Sequence, residues 1–104
     1  MNTVSFLNTE CNLSRAKYSG GNIALYLTDE SGFKVANCTV NLDESLGLKE
    51  NQVFIRDYAE NAGMLKALVA AGVVEDVGES ITYDYSGAHT VVFPIAKIIN
   101  TEGK

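Results

Sequence analysis

The residues of this chain that could do chemistry are one histidine, two cysteines and a set of carboxylates. The histidine, His89, follows Asp84 and Ser86, which together are the residue types of a Ser–His–Asp triad. A triad requires the base to reach the nucleophile while a third group orients it, and residues so close on one hairpin rarely achieve that geometry. We therefore interpret His89 as a solvent-facing residue at a strand end.

Carboxylates also occur as neighbours in the sequence, in the pairs Asp29-Glu30, Asp43-Glu44 and Glu75-Asp76. Neighbours in a strand point to opposite faces, so adjacency does not create a catalytic dyad. No segment has the ligand spacing of a calcium loop, and the chain has no Walker, GxGxxG, CxxC or HExxH motif. The sequence predicts a protein that is not an enzyme and that holds no cofactor or metal.

The two cysteines, Cys11 and Cys38, are predicted to be reduced thiols, and a disulfide between them is the less favoured alternative. No apolar run approaches the ~20 residues that span a bilayer, and the N-terminus lacks a signal-peptide pattern. We expect a cytoplasmic protein that does not enter a membrane.

Charge is distributed unevenly along the chain. Thirteen acidic and eight basic residues give a formal net charge of −5, which disfavours direct binding to nucleic acid. From residue 67 to residue 96 there is no Lys or Arg, whereas Glu75, Asp76, Glu79 and Asp84 all lie there. One surface of the fold is therefore predicted to be acidic.

Most of the chain has the patterns of β-structure. Apolar and polar residues alternate through 22–28 and again through 35–42, and the turn at 29–32 between them contains a glycine, which predicts a hairpin. Residues 3–7 and 53–55 are predicted to be strands, while 8–14 is predicted to be turn or irregular structure. Residues 81–85 and 89–95 form a second predicted hairpin. Pro94 cannot donate to a ladder, so its strand is predicted to be an edge strand or to end near Pro94.

One helix is predicted from an apolar stripe at helical spacing. Asp57 and Glu60 have the spacing of a capping box, Asn61 is an alternative cap, and Gly72 fits a left-handed stop. The stripe consists of Met64, Leu65, Leu68 and Val69. The expected fold class is α+β, a single domain over residues 1–104 with a mainly antiparallel sheet of about five strands and this helix packed on one face.

The tyrosines admit two interpretations. Tyr83 and Tyr85 share one face of the second hairpin, next to acids and far from any base in the sequence. Tyrosine rings often complete a sheet core, and they are also common at protein interfaces because they combine apolar area with a polar tip. The sequence is compatible with tyrosines in the core and with tyrosines at an interface.

The segments VANCTVNL and VFIRDYAENAGMLKALVAAGVVEDVG, with the terminal apolar strand, resemble a family of small bacterial proteins classed under a domain of unknown function. The resemblance covers about residues 22–95. Members are carried on conjugative elements and phages, and they have Thr-Gly-Arg where this chain has Val77-Gly78-Glu79. The resemblance implies a mobile-element context, in which small acidic proteins are often counter-defence factors such as anti-CRISPR proteins. It supplies no catalytic residues.

Together these observations favour an acidic binding protein that inhibits a nucleic-acid-handling host effector, most concretely a CRISPR nuclease such as Cas9, by occupying its basic surface. The partner would be a basic protein, and the chain a monomer or a homodimer. The alternative is a structural or accessory homodimeric module without an inhibitory role. The expected contact residues are Asp29, Glu30, Asp57, Glu60, Glu75, Asp76, Glu79, Tyr83, Asp84 and Tyr85.

Overall fold

Two antiparallel four-stranded sheets and one short α-helix form the fold in the computed structural model, which describes residues 3–18, 22–42, 48–85 and 89–99. The strands are β1 (Thr3–Phe6), β2 (Thr9–Lys17), β3 (Ile23–Thr28), β4 (Lys34–Asn37), β5 (Thr39–Val40), β6 (Gln52–Ile55), β7 (Val74–Tyr85) and β8 (His89–Ile98). A 3₁₀ helix (Ala59–Asn61) precedes the α-helix, α1 (Met64–Ala70). The Asp43-Glu44 pair and Ser86 lie outside the described residues.

The first sheet has the order β1-β2-β3-β4, so each strand pairs with the next one in the chain. Leu7 and Asn8, both at positive φ (54° and 63°), make the two-residue turn between β1 and β2. Two positive φ values are typical of the hairpin turn whose twist matches that of its strands. The prediction of turn or irregular structure over 8–14 holds for Asn8 and was wrong from Thr9 onward, because this turn directs a mostly polar segment into the nine-residue strand β2.

The second sheet has the order β5-β6-β8-β7, so the prediction that the strand of Pro94 is an edge strand was wrong. Pro94 is tolerated in this interior strand because the pairing of β8 with β6 stops at Ile95, which leaves Pro94 with β7 as its one neighbouring strand. The prediction of about five strands in one sheet is corrected to eight strands in two sheets among the described residues, while the α+β class and the antiparallel pairing are confirmed. The chain crosses between the sheets at Cys38, between β4 and β5. The Cys38 amide donates to the Leu25 carbonyl (2.8 Å) in the first sheet, and the Cys38 carbonyl accepts from the Arg56 amide (2.8 Å) beyond the second.

A main core fills the space between the inner faces of the two sheets and α1. Its fully buried side chains include Leu27 of β3, Ile55 of β6 and Leu68 of α1. A second core lies on the opposite face of the second sheet, around Phe54 and Phe93. The second sheet is therefore apolar on both faces, whereas the outer face of the first is largely polar.

The helix begins later than the predicted capping box would place it. Asp57 is not the N-cap residue; that position is Gly63, and the Asp57 carboxylate accepts the Gly63 and Leu65 amides (2.7 and 3.3 Å). Asn61 is not a cap either. Its buried amide donates to the carbonyls of Asn37 and Arg56, joining the end of β4 to the end of β6.

The helix ends as predicted. Gly72 lies at φ 76°, and the amides of Gly72 and Val73 donate to the carbonyls of Val69 and Leu68 (both 3.0 Å). This pair of bonds is the Schellman arrangement of helix ends. Met64 and Leu68 of the predicted stripe are fully buried, but Val69 is 42% exposed, so the apolar face is narrower than predicted. No helix of the described residues is long and apolar enough to cross a bilayer.

Candidate functional site

β7 is the strand that carries most of the acidic residues, and it is an edge of the second sheet, hydrogen-bonded only to β8. Glu75, Asp76, Glu79 and Asp84 all lie on it and are exposed. The twelve residues of β7 include no Lys or Arg. The structure thus brings these four carboxylates onto one strand margin.

The ladder with β8 divides those carboxylates between the two faces of the sheet. Residues directly opposite each other in an antiparallel pair share a face. Glu79 lies opposite Ile95, which belongs to the second core, whereas Asp76 lies opposite Ala96, which belongs to the main core. By the same rule Glu75 shares the face of Glu79 and Asp84 shares that of Asp76. The acids therefore share an edge but not a single flat face.

A β-bulge separates the two halves of β7. The register shifts between Asp76 and Glu79, where Val77 and Gly78 are the extra residues, and Gly78 adopts φ 80°. Asp76 stabilises the bulge, because its Oδ1 accepts the Gly78 amide at 2.9 Å. Bulges sharpen the local twist of a strand and, with charged side chains, protect edges from unwanted strand pairing. The bulge was missed in the sequence, although Gly78 within a strand pattern was its signal.

The cross-strand neighbours decide how strongly each acid contributes to a negative potential. Lys97 lies opposite Glu75, so a cation is close to the acid at the base of β7. Glu79 lies opposite an apolar residue, Ile95. The negative potential of the second-core face should therefore be strongest near Glu79 and weaker near Glu75.

Asp29 and Glu30 lie away from this edge, in the turn between β3 and β4 of the first sheet. The Asp29 Oδ1 atom accepts the amides of Ser31 and Phe33 (2.9 and 3.0 Å), so that carboxylate holds the turn. Glu30 is exposed at the same turn. They form a second acidic position, separate from β7.

Asp57 and Glu60 serve in the segment before α1. Asp57 is occupied by the two amides at the helix start. Glu60 is exposed on the 3₁₀ helix and lines a shallow depression of about 220 Å³ together with Lys34 and Arg56. Two cations beside this acid reduce the negative potential there.

Tyr83 combines the two interpretations offered for the tyrosines. It is half-buried, packs against the second core and lies opposite Val91 in the ladder. Part of its ring completes the core, and the rest is reachable from the β7 edge. Tyr85 lies opposite His89 in the same ladder. The side chains of Tyr85 and His89 lie outside what the structure describes.

Neither cysteine is arranged for chemistry. Cys11 and Cys38 are buried free thiols. Burial raises the pKa of Cys38 to about 12, with a further contribution from nearby Cys11. Burial also raises the pKa of Cys11, with a smaller effect of Asp29. Since the thiolate is the nucleophile and metal ligand, raised pKa values make both side chains inert at neutral pH. The described residues contain no group of three or more His, Cys, Asp or Glu that could hold a metal.

Comparisons with family models, curated proteins and solved structures gave no match to this chain. The resemblance to small proteins of mobile elements therefore stays a prediction.

Proposed function

We propose that this chain is a non-enzymatic binding protein whose acidic β7 edge docks on the basic surface of a nucleic-acid-handling effector and inhibits it. The most concrete partner is a CRISPR nuclease such as Cas9. The observation that supports the proposal is an edge strand with four exposed carboxylates and no Lys or Arg of its own. The protein would work as a cytoplasmic factor of a mobile genetic element.

The physical reasoning concerns what a nuclease channel recognises. Such a channel holds phosphates through clustered Lys and Arg, and it binds by exchanging counterions for protein cations. The carboxylates of the β7 edge offer negative charge to those cations along one strand margin. The ladder to β8 holds the strand in place, so little conformational entropy is lost when the partner binds.

Charge reversal on one face of β7 tests the proposal. Glu75→Lys with Glu79→Lys changes two exposed carboxylates that share the second-core face and for which the structure shows no capping role. The matched control is Glu30→Lys with Glu60→Lys, which changes the net charge equally away from β7. We expect the β7 pair to weaken inhibition of DNA cleavage by a purified Cas9–guide complex about tenfold or more, and the control pair to inhibit as the wild type does.

The salt dependence adds a second readout to the same experiment. Inhibition by the wild type should weaken between 50 and about 200 mM salt, because exposed charges are screened over about a Debye length. No inhibition by the wild type would reject Cas9 as the target. Equal losses in both charge-reversed pairs, or undiminished inhibition by the folded β7 pair, would reject the β7 edge as the contact.

The alternative function, a homodimeric accessory module, is favoured by one observation: β7 is a twelve-residue edge strand. Antiparallel pairing of β7 with a second copy would place carboxylates near carboxylates, and like charges across a ladder are destabilising. Sedimentation at micromolar concentration distinguishes the two functions. A dimer would favour the alternative, and a monomer would favour the inhibitor.

A further inference from the structure

The open edges of the two sheets differ in how they are protected against pairing with another chain. β7 carries four exposed acids and a bulge, and the part of β8 that extends beyond β6 contains Pro94. β5 is two residues long, while β4 has Lys34 and a carbonyl that accepts the Asn61 amide. Charges, bulges, proline and short length are the usual means of blocking an edge. β1, the outer strand of the first sheet, contains no charge, bulge or proline.

The register of β1 with β2 determines which backbone groups face this open edge. The two-residue turn after β1 makes Phe6 and Thr9 a hydrogen-bonded pair. Pairs of the two kinds alternate along an antiparallel ladder, so Ser5, opposite Glu10, belongs to a non-hydrogen-bonded pair. The amide and the carbonyl of Ser5 therefore point away from β2. No loop, cap or side-chain hydrogen bond of the described residues reaches either group.

α1 lies beside the β1 edge and leaves a groove between helix and strand. Two adjoining clefts, of about 350 and 250 Å³, make up this groove, and Ser5, Ala67 and Ala70 line both of them. Ser5 and Ala70 are exposed. The helix therefore forms a wall of the groove without covering the strand edge.

The groove follows β1 along its length. Thr3 and Ala71 line one cleft, whereas Leu7 and Gly63 line the other. The end of α1 is thus beside the start of β1, and the two elements run in opposite directions. A strand of four residues is about 13 Å long, so the groove has the length to hold an extended segment of about four residues.

We propose that an extended segment of a partner protein binds in this groove as a fifth strand of the first sheet, hydrogen-bonded to the amide and the carbonyl of Ser5. Strand addition of this kind takes its affinity from main-chain bonds and its specificity from alternate side chains. Side chains on the side of α1 would meet Ala67, Ala70 and the 65% exposed Leu7, so they are expected to be apolar. Those on the other face would lie beside Ser5, next to solvent, and are expected to be polar.

The proposed site does not depend on an excess of charge. Glu10 and Lys66 are the charged residues of the described lining, and each lines a different cleft. The remaining lining is uncharged, and the groups that the segment would pair with are backbone groups. The partner is therefore characterised by an extended conformation and by alternating apolar and polar side chains, and not by its net charge.

A second copy of this chain fits the groove less well than a single segment does. The β1 strand of the copy would be flanked by its own α1, so the two helices would meet where the strands have to pair. A pair of four-residue strands does not by itself supply the ~1,000 Å² that a specific interface between folded proteins buries. A single extended segment brings no helix with it.

An NMR titration of the full chain with a synthetic peptide tests this inference. The probe is a capped peptide in which threonine and valine alternate between two terminal lysines. Two derivatives carry N-methyl groups, one on every threonine and the other on every valine. Successive amides of a strand point to opposite edges, so each derivative loses the donors of one edge and keeps its charge and side chains.

We expect the unmodified peptide to cause a saturable shift of the Ser5 amide, and one derivative alone to bind about tenfold more weakly. A loss in the threonine derivative alone would indicate antiparallel addition, and a loss in the valine derivative alone would indicate parallel addition. Both results support the proposal. No saturable shift of the Ser5 amide, or equal affinities of the two derivatives, would overturn it.

Two variants of the chain locate the site. Ser5→Pro removes the amide donor that faces the groove, a change that an edge strand tolerates on its open side. Ala70→Leu narrows both clefts and leaves the backbone of β1 unchanged. The matched control, Ala16→Leu, introduces the same side chain at an exposed position of β2 outside the groove.

We expect Ser5→Pro and Ala70→Leu each to weaken peptide binding about tenfold, and Ala16→Leu to change it less than about twofold. Equal affinities of Ala70→Leu and Ala16→Leu would overturn the groove as the binding site. A wild-type dimer in sedimentation that Ala70→Leu dissociates would assign the edge to a second copy and overturn the partner segment. The β7 acids are unchanged in these variants, so the result is independent of the proposed inhibitor function.

Discussion

The two sheets of this protein bury their strands differently. In β3 of the first sheet Leu25 and Leu27 are buried, while the residues between and beside them are only half-buried. In β6 of the second sheet the consecutive residues 53–55 are all buried, because both faces of the sheet are covered. One sheet follows the period-two rule of a half-buried strand, and the other does not.

This difference shows where the apolar residues of the chain are used. The first sheet contributes one face to the main core and leaves a polar outer surface. The second sheet joins two cores, so Phe54 and Ile55 on successive positions of β6 stabilise different clusters. The acidic β7 edge belongs to the sheet that is covered on both faces. We therefore expect it to be more rigid than the acidic turn at Asp29 and Glu30.

Truncation of Phe54 tests whether the second core contributes to stability as a buried core does. It has the largest expected effect on the free energy of unfolding. Phe54 is 1% exposed, and Phe54→Ala should destabilise the fold by about 3–5 kcal/mol, through lost burial and a cavity. Leu27→Ala in the main core should cost about 2–5 kcal/mol. Urea unfolding followed by circular dichroism gives both values on one scale.

The control for this comparison lies on the other face of the same sheet. Val92 of β8 is 54% exposed, and Val92→Ala should change stability by no more than about 0.5 kcal/mol. A cost of Phe54→Ala near that of the control would mean that the second cluster is a surface patch. The second sheet would then gain stability from one face only, as the first sheet does, which would contradict its burial on both faces.

The contrast between the sheets also explains which elements could be predicted from sequence. The hairpin of β3 and β4 could be predicted because its apolar and polar residues alternate, as they do in strands with one buried and one solvent-facing side. In the second sheet the apolar residues 53–55 of β6 follow one another directly. Such a short apolar run does not indicate which strands lie beside it. Two sheets in place of one could not be foreseen, since the change of sheet occurs at a single residue, Cys38, within a continuous β pattern.

The same limits apply to the candidate sites. The run of acids in 75–84 was visible in the sequence, but their division between two faces depends on the bulge at Val77-Gly78. Asp57 was expected at the start of the helix, and it does hold that start from six residues before Gly63. Residues of β2 and of the turn before β6, more than thirty positions apart, line one cleft between the sheets, and no local pattern predicts that they meet.

Two glycines allow the end of α1 and the edge of the second sheet to be compared by the stability that each loses on substitution. Gly72 and Gly78 have φ values of 76° and 80°, and an added Cβ would meet nothing within 4 Å at either. The cost of Gly→Ala is therefore conformational, about 1–2 kcal/mol at Gly72. We expect a smaller loss for Gly78→Ala, because an edge bulge can relax without moving a core. Thermal unfolding compares the two, with Ser80→Ala on the same strand as the control. A larger loss at Gly78 than at Gly72 would show that the bulge anchors the second core through Val77.

Stability at alkaline pH distinguishes the two cores, because the main core contains the titratable thiol of Cys38. Its pKa rises from the ordinary 9.0 to about 12 in the folded chain, so the unfolded chain releases the proton first as the pH increases. The stabilisation is complete below pH 9 and is lost as the pH approaches 12, by about 1 kcal/mol between pH 9 and 10. In urea unfolding at these two pH values Cys38→Ala should lose about 1 kcal/mol less than the wild type does. Ile95→Val, a truncation in the second core, should keep the wild-type difference, and an unchanged difference in Cys38→Ala would show that the thiol does not contribute to it.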